Sequence, residues 1–377
     1  MKKLAIIGSG RMAWIFGRQA REMGVETHAF SFDDHCVAKE TVDEHHLINI
    51  MDMDQVVAAC EKLQVDGVVP TTELTVKVAA YVAEKLHLVG IPFQVAEVVT
   101  DKYRNRQVCR NVKDLCQPAF AEIMTMEELL ALNLSLPLIF KPTSKGGKRG
   151  ITVARSQENL RPAFDFAKEN SGNAPVIVEE FIEGGCEYSV ESLSCQGQHY
   201  IIQITEKMSS GAPHCVELGH HQPANISDTM REKVKRVLSE GLTAIGVNNG
   251  PCHTEIKIVD DKIYLIEFNA RPGGDHIAWP LTQLSTGYPY MKGIIEAALG
   301  ELQPIDTRGF QKKYAGVYFV TTQSAYLKPL FDKCQNESWC CWKNEVSKEL
   351  KPLIHNDGYG TNFFIYCSDK PLKINEL

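Results

Sequence analysis

The chain has no apolar run approaching the ~20 residues that span a bilayer, no internal repeat, no low-complexity segment and no Cys-x-x-Cys pair. The first absence excludes a bundle of membrane helices, the next two a solenoid or a disordered linker, and the last a zinc ribbon or dithiol redox centre. Met1-Lys-Lys-Leu-Ala-Ile-Ile-Gly8 starts like a secretory leader for only three residues, because its apolar stretch is short and runs into a glycine turn. A cytosolic protein is expected. Excess positive charge is also missing: 40 Lys and Arg against 47 Asp and Glu give a formal net charge of −7. That balance argues against a general nucleic-acid or membrane-surface binder, although a local basic cleft is compatible with it. Twelve cysteines are present, but scattered, with only Cys340-Cys341 adjacent. A chain of 377 residues, 44% hydrophobic and 23% charged, buries enough core to need no disulfides, so reduced thiols and two or three globular domains are expected.

Strand-like and helix-like runs alternate through the amino-terminal third. Lys3-Leu-Ala-Ile-Ile-Gly8-Ser-Gly10 reads as a buried strand entering a glycine turn, followed by a helix over about Arg11 to Met23 and a strand at Glu26–Phe32 ending in Asp33-Asp34. Then come helices near Asp54 to Leu63 and Leu74 to Leu86, the strand Gly67–Pro70, and the apolar run Val89-Gly90-Ile91-Pro92. This order predicts an open parallel sheet with right-handed crossovers. Gly8-x-Gly10-x-x-Ala13 with an acidic residue about 20 positions on matches a dinucleotide fingerprint and would, alone, suggest an NAD enzyme. Any open parallel sheet also needs a tight first turn. Thr71-Thr72-Glu73 falls just past a strand end, where capping a helix and touching a ligand are both open readings.

The middle of the chain concentrates cations and glycines. A solvated helix face accounts for Arg104, Arg106 and Arg110, and for Lys102 taken by itself. Lys141 ends the apolar strand Leu136–Phe140 and leads into Ser144-Lys-Gly146-Gly147-Lys148-Arg149-Gly150. Three glycines, free backbone N–H groups and several cations can wrap a polyphosphate. Gly-x-x-x-x-Gly-Lys-Ser/Thr is absent, so this loop is not a P-loop. Val176-Ile-Val-Glu179-Glu180-Phe181-Ile182 reads as an edge strand breaking into a turn before Glu187 and a further strand.

His253-Thr-Glu255 through Glu267-Phe-Asn269-Ala-Arg271-Pro-Gly273-Gly274-Asp275 reads as a hairpin ending in ligands. Strand alternation places Glu267 and Asn269 on one face. A two-residue Asp260-Asp261 loop would put Glu255 on the opposite face from Glu267, whereas a three-residue loop adding Lys262 would set it directly across, at roughly 5 Å. Such a carboxylate pair needs a cation, and oxygen ligands suit Mg²⁺ beside nucleotide phosphates. Upstream, Ser209–Ala224, with His214, Glu217, His220 and His221, reads as an ordered loop outside any regular period, with no spacing typical of a zinc set.

These segments together resemble the ATP-grasp ligases, and the runs Pro213-His-Cys-Val-Glu217-Leu-Gly-His220 and Asn269-Ala-Arg-Pro-Gly-Gly-Asp-His276 most resemble the L-amino-acid ligase branch. The resemblance implies an α/β chain with an open parallel sheet domain at 1–97, an ATP-grasp domain at 98–305 with a nucleotide lid at about 112–185, and an α+β extension at 306–377. It further implies ATP and Mg²⁺, with Mn²⁺ able to substitute. Nucleotide contacts fall on Lys102, Lys141, Gly146, Gly147, Glu179, Glu187 and the backbone of Phe181 or Ile182, and metal ligands on Glu255, Glu267 and Asn269. Arg271 and Lys141 would serve the transferred phosphoryl group; Gly273 and Gly274 lie beside the substrate, as do His214, Glu217, His220 and His276, and any of the last three could handle an amine. The implied partners are a small carboxylate and a small amine, joined as an amide through an acylphosphate with release of ADP, and a homodimer is compatible. Purine-pathway and carbamoyl-phosphate-type ATP-grasp enzymes share this ATP site, and an NAD oxidoreductase rests on the glycine turn alone. From about Gln311 only local features are legible: a strand at Tyr314–Val320, a Trp339-Cys-Cys-Trp342 core cluster, and a turn and strand from Asp357.

Overall fold

In the computed structural model, which describes residues 1–372, the amino-terminal strands Lys3–Ile7, Glu26–Ser31 and Gly67–Pro70 form a parallel sheet as expected. Glu44–Leu47 adds an outer fourth strand that sequence reading missed, because its Glu-His-His-Leu has no apolar alternation. Val89–Pro92 is an irregular bend rather than a strand. Helices Arg11–Met23, Met53–Leu63 and Glu73–Lys85 cover this sheet. A Cβ on Gly8 would lie 2.1 Å from Thr71 Oγ1, whose hydroxyl donates to the Ile7 carbonyl. Packing between the end of Lys3–Ile7 and the turn after its neighbour Gly67–Pro70 therefore explains this glycine without a dinucleotide.

Phe120–Ile123, Val176–Glu180, Leu138–Pro142 and Thr152–Ala154 form a separate four-stranded antiparallel sheet backed by the helix Gln157–Ser171. Val176–Glu180 is interior to that sheet, not an edge strand; its outer neighbour Phe120–Ile123 is too short and mixed to announce itself.

A nine-stranded sheet organises the rest. Across it run Cys340–Asn344, Asn362–Ser368, Tyr314–Val320, Glu217–Gln222, Gln198–Ser209, Cys186–Cys195, Gly250–Val259, Lys262–Asn269 and Leu115–Cys116. The residues after 306 thus continue the central sheet. Glu217–Gln222 is a strand, correcting the expected loop: its apolar partners lie on neighbouring strands, so no periodicity shows within the segment. The helix Asp228–Ile245 starts where Ser227 Oγ accepts from the Met230 N–H and stops at left-handed Gly246. Its Val234, Val237, Leu238 and Leu242 pack on Val190, Ile204, Ile256, Leu265 and Phe268. One sheet face is thereby apolar, and the period of two forces the charged residues between them onto the other.

Candidate active site

That second face carries charged and polar residues in transverse rows fixed by register. Lys207, Glu187 and Lys257 lie side by side; next come Thr205, Ser189, Glu255 and Glu267; then Gln203, Glu191, His253 and Asn269. The hairpin has the two-residue Asp260-Asp261 loop, both residues at positive φ. Glu255 nonetheless faces Glu267, because a β-bulge at Ile266 advances the register by one. The pairing expected of the three-residue loop is thus reached through the two-residue loop and a bulge. The bulge also turns Ile266 into the cleft between the nine-stranded sheet and the four-stranded antiparallel sheet, alongside Glu255 and Glu267.

Lys102 is buried, not solvated: its ammonium sits 2.8 Å from Glu267, 3.7 Å from Glu73 and 2.9 Å from the Lys145 carbonyl. Burial opposes its charge, but Glu267 and Glu73 outweigh this and raise its pKa. Arg106 is buried too, its Nε donating to Glu179 and its Nη1 to the Leu265 carbonyl at 2.6 Å. Lys141 lies 2.6 Å from the other oxygen of Glu179. Burial would raise the Glu179 carboxyl, yet Arg106 and Lys141 hold it at about 2. The short helix Lys102–Val108 therefore turns Lys102 and Arg106 inward, which the charge pattern alone could not reveal, while Arg104 and Arg110 are exposed as expected.

Lys148, in left-handed conformation, pairs with Glu187 at 3.2 Å. A Cβ on Gly146 would lie 2.2 Å from Glu73 Oε2, so a larger residue there would displace the Glu73 carboxylate where this loop meets the amino-terminal domain. The Gly147 carbonyl accepts from the Asn356 N–H at 3.1 Å, and Asn356 Oδ1 accepts from the Glu217 N–H at 3.0 Å. The carboxy-terminal segment thus ties the glycine loop to Glu217. Phe181 N–H is already committed to the Pro137 carbonyl, and the Ile182 carbonyl accepts from Lys257 at 2.6 Å.

Glu217 lies 2.6 Å from Lys207, which also sits 2.8 Å from Glu255, linking the two ends of the charged face. A bulge at Leu218 brings Glu217 to the side of His220, 3.2 Å away. Ligand atoms of Glu217, His220 and Asp275 all lie within 4.8 Å of one another, a grouping that no sequence spacing advertises. Burial, reinforced by Lys207, holds His220 well below its usual pKa. Burial also lowers His276 to about 3, in a box of Phe363, Tyr359 and Trp342. Burial and Glu217 raise Asp275 to about 6.

His214 is not brought to this group; it packs against Phe166 and reaches the Ile151 carbonyl, fastening its loop to the smaller antiparallel sheet. Gly273 donates its N–H to Glu191, and a Cβ there would lie 2.5 Å from Glu191 and 2.6 Å from His253. Gly274 has open space around it. Glu191 also holds His253 Nδ1; burial opposes the imidazolium, but Glu191 raises it to about 9. Arg106, Glu191, Lys207, His253 and Asn356 are the site residues that sequence reading missed, whereas Glu73 belongs to the Thr71-Thr72-Glu73 turn left open to a ligand. Charges at alternate positions of apolar strands were the available signal for Glu191 and Lys207.

A divalent cation fits what is present. Glu255 and Glu267 face each other, and the buried Asn269 amide has neither its oxygen nor its nitrogen partnered. An oxygen-rich set of this kind matches Mg²⁺ chemistry.

An ATP-grasp domain model matches residues 134–279. Formate-dependent phosphoribosylglycinamide formyltransferase of Methanocaldococcus jannaschii is 26% identical over 302 residues, covering 74% of this chain and 72% of that protein. The carbamoyl phosphate synthase large chain of Vibrio vulnificus is 26% identical over 249 residues, 63% of this chain but only 22% of that protein's length. Among solved structures, L-amino acid ligase from Bacillus licheniformis superposes with a TM-score of 0.83 at 23% identity, covering 98% of this chain and 94% of that one. N5-carboxyaminoimidazole synthetase from Staphylococcus aureus, complexed with ADP, gives 0.79 at 15% identity over 100% and 94%. The chain thus carries a match to the ATP-grasp domain at residues 134–279, set in a fold that it shares over nearly its whole length with these solved structures.

Proposed function

We propose that the protein is an ADP-forming carboxylate–amine ligase that takes an amino acid as a substrate. The observation that carries this reading is the continuity of one charged sheet face, from Glu255 and Glu267 through Lys207 to the enclosed Glu217, His220 and Asp275 group. Carboxylates at the far end suit an ammonium, and the Arg271 Nε, buried without a partner, is available to an anion between the two ends.

ATP would lie in the cleft between the nine-stranded sheet and the four-stranded antiparallel sheet, with its base near Lys141, Glu179 and the Ile182 backbone, its ribose near Glu187, and its phosphates under Gly146 and Gly147. Glu255, Glu267 and Asn269 would hold Mg²⁺, which supplies positive charge to the terminal phosphate oxygens when bound. A substrate carboxylate oxygen attacks the γ-phosphorus and the bond to the bridging oxygen breaks, releasing ADP. Lys102 and Arg271 offset the charge of the transferring group. The amine then attacks the acyl carbon, the carbon–oxygen bond to phosphate breaks, and an amine proton passes to a nearby base. Glu217 is the residue we assign to hold the amine, with neutral His220 beside it; His276, enclosed by aromatic rings, would shape the pocket. The Gly147–Asn356–Glu217 bridge would keep water from the mixed anhydride.

A second reading has its own support: the formyltransferase relative aligns over about three quarters of both chains. On that reading a one-carbon acid is activated and a phosphoribosylated amine accepts it. Phosphate release measured across amino-acid pairs, and across formate or bicarbonate with phosphoribosylglycinamide, separates the two. A carboxyl substrate labelled with ¹⁸O should pass one label to phosphate. Unlabelled phosphate, or AMP as product, would refute the acylphosphate route.

A further inference from the structure

Far from the cleft, on the outer side of the amino-terminal sheet, three metal-ligating side chains converge. His28 lies opposite Glu44, and Phe30 opposite His46, in the parallel pairing of Glu26–Ser31 with Glu44–Leu47, so all four project from one face. His28 Nδ1 is 3.1 Å from His46 Nε2 and 3.5 Å from Glu44 Oε2, and His46 Nε2 is 3.6 Å from the same Glu44 oxygen. Zinc–ligand bonds of about 2.0–2.1 Å in tetrahedral array set ligand atoms roughly 3.3–3.4 Å apart. The three observed separations bracket that edge length.

The fourth residue explains the orientation. Glu26 Oε1 lies 3.0 Å from His28 Nε2. A carboxylate can only accept, so Nε2 carries the ring proton and the lone pair of neutral His28 sits on Nδ1, toward His46 and Glu44. Carboxylate–histidine pairs of this kind orient and strengthen metal-bound imidazoles. Lys3, 3.6 Å from Glu26, steadies that carboxylate. His46 is held by stacking on Phe30, with ring centroids 4.8 Å apart. His45 points to the other face, toward Ser31, and takes no part.

An outermost strand rich in charged residues is ordinarily explained as protection against edge-to-edge pairing. That explanation suits Glu44, whose side chain is 59% exposed, but not His28 at 1%. A single proton on His46 Nε2 satisfies one of the two acceptors facing it, and leaves the His28 lone pair against the Glu44 carboxylate. One divalent cation satisfies all three.

We infer that His28, His46 and Glu44, oriented by Glu26, form a binding site for one Zn²⁺-type divalent cation, with the fourth coordination position open to solvent. The site is separate from the nucleotide cleft.

The test uses the full-length, tag-free protein without nucleotide, titrated with Co²⁺ as a spectroscopic stand-in and then with Zn²⁺ in competition. One equivalent of Co²⁺ should give the visible d–d absorption of a tetrahedral site with imidazole ligands, and Zn²⁺ should displace it. His46→Ala and Glu44→Gln, both at partly exposed positions, should each weaken binding at least tenfold with the far-ultraviolet dichroism unchanged. Glu217→Gln, at the other His-containing carboxylate group, should leave the spectrum as it was. Absence of a tetrahedral spectrum in the wild type, its persistence in His46→Ala, or its loss only in Glu217→Gln would each overturn the assignment.

Discussion

Replacing Glu179 by Gln tests whether the buried charges behind the nucleotide site behave as one unit. The wild-type carboxylate is 2% exposed and binds Arg106 and Lys141 at once. Its fall from 4.5 to about 2 in the fold corresponds to roughly 3 kcal/mol, at ~1.4 kcal/mol per tenfold. Because the folded value is the lower one, that stability is present in full above 4.5 and disappears as the pH falls toward 2. Gln keeps the shape but leaves two cations buried beside an uncharged amide, and breaking a buried pair in this way costs ~3–5 kcal/mol. Urea denaturation at pH 7 without nucleotide should therefore show Glu179→Gln destabilised by about 3 kcal/mol, with a shallower loss of stability between pH 5 and 3. Arg106→Met, Glu179→Met and Lys141→Met combined should recover most of that stability, since an apolar cluster has no charges left to desolvate. A Glu179→Gln variant within ~1 kcal/mol of wild type, about a single ordinary hydrogen bond, would refute the coupling.

Much of this architecture was legible because several units obey simple periods: Arg11–Met23 and Gly67–Pro70 near the amino terminus, and Tyr314–Val320 far beyond them, fall where their patterns place them. The strand Glu44–Leu47 was not, since its neighbour supplies the hydrogen bonds and its own side chains carry no alternation. Within the site, Lys141, Glu255, Glu267 and Asn269 stand out because charge interrupts apolar strands. Arg106 and Lys102 defeated that logic: a cation on a short helix looks solvated until the carboxylates Glu179 and Glu267, contributed by other strands, come to meet it. Asn356 gave no signal at all, because its contacts with Gly147 and Glu217 join segments more than 130 residues apart. Bulges were the other obstacle. An extra residue is invisible in a one-dimensional period, yet Ile266 and Leu218 decide which side Glu255 and Glu217 share with their partners.

The remaining predictions follow from the same geometry. Glu255→Gln or Glu267→Gln should keep the fold and lose more than tenfold in turnover at saturating Mg²⁺, a loss beyond ~1.4 kcal/mol in the barrier; steady-state phosphate release checks it. Asn356→Ala removes the acceptor for the Glu217 N–H while its own N–H still reaches Gly147. It should raise substrate-independent ATP hydrolysis relative to amide formation, measured as the ratio of phosphate to product, and an unchanged ratio would count against a water-excluding bridge. The final prediction concerns the bulge itself. Deleting Ile266 straightens the ladder without altering its pairings: Leu265 stays opposite Ile256, Glu267 takes the place opposite Glu255, and Phe268 stays opposite Thr254. Leu265 and Phe268 keep their places in the core, so the protein should fold. What disappears is the apolar side chain that the bulge turns into the cleft. The KM for ATP should rise about tenfold, the ~1.4 kcal/mol of partial burial of one aliphatic side chain, while kcat at saturating ATP stays within about threefold, a change below ~0.7 kcal/mol. If kcat falls instead, the bulge exists to set the angle between the two carboxylates, and Ile266 is only the residue that fills the extra position.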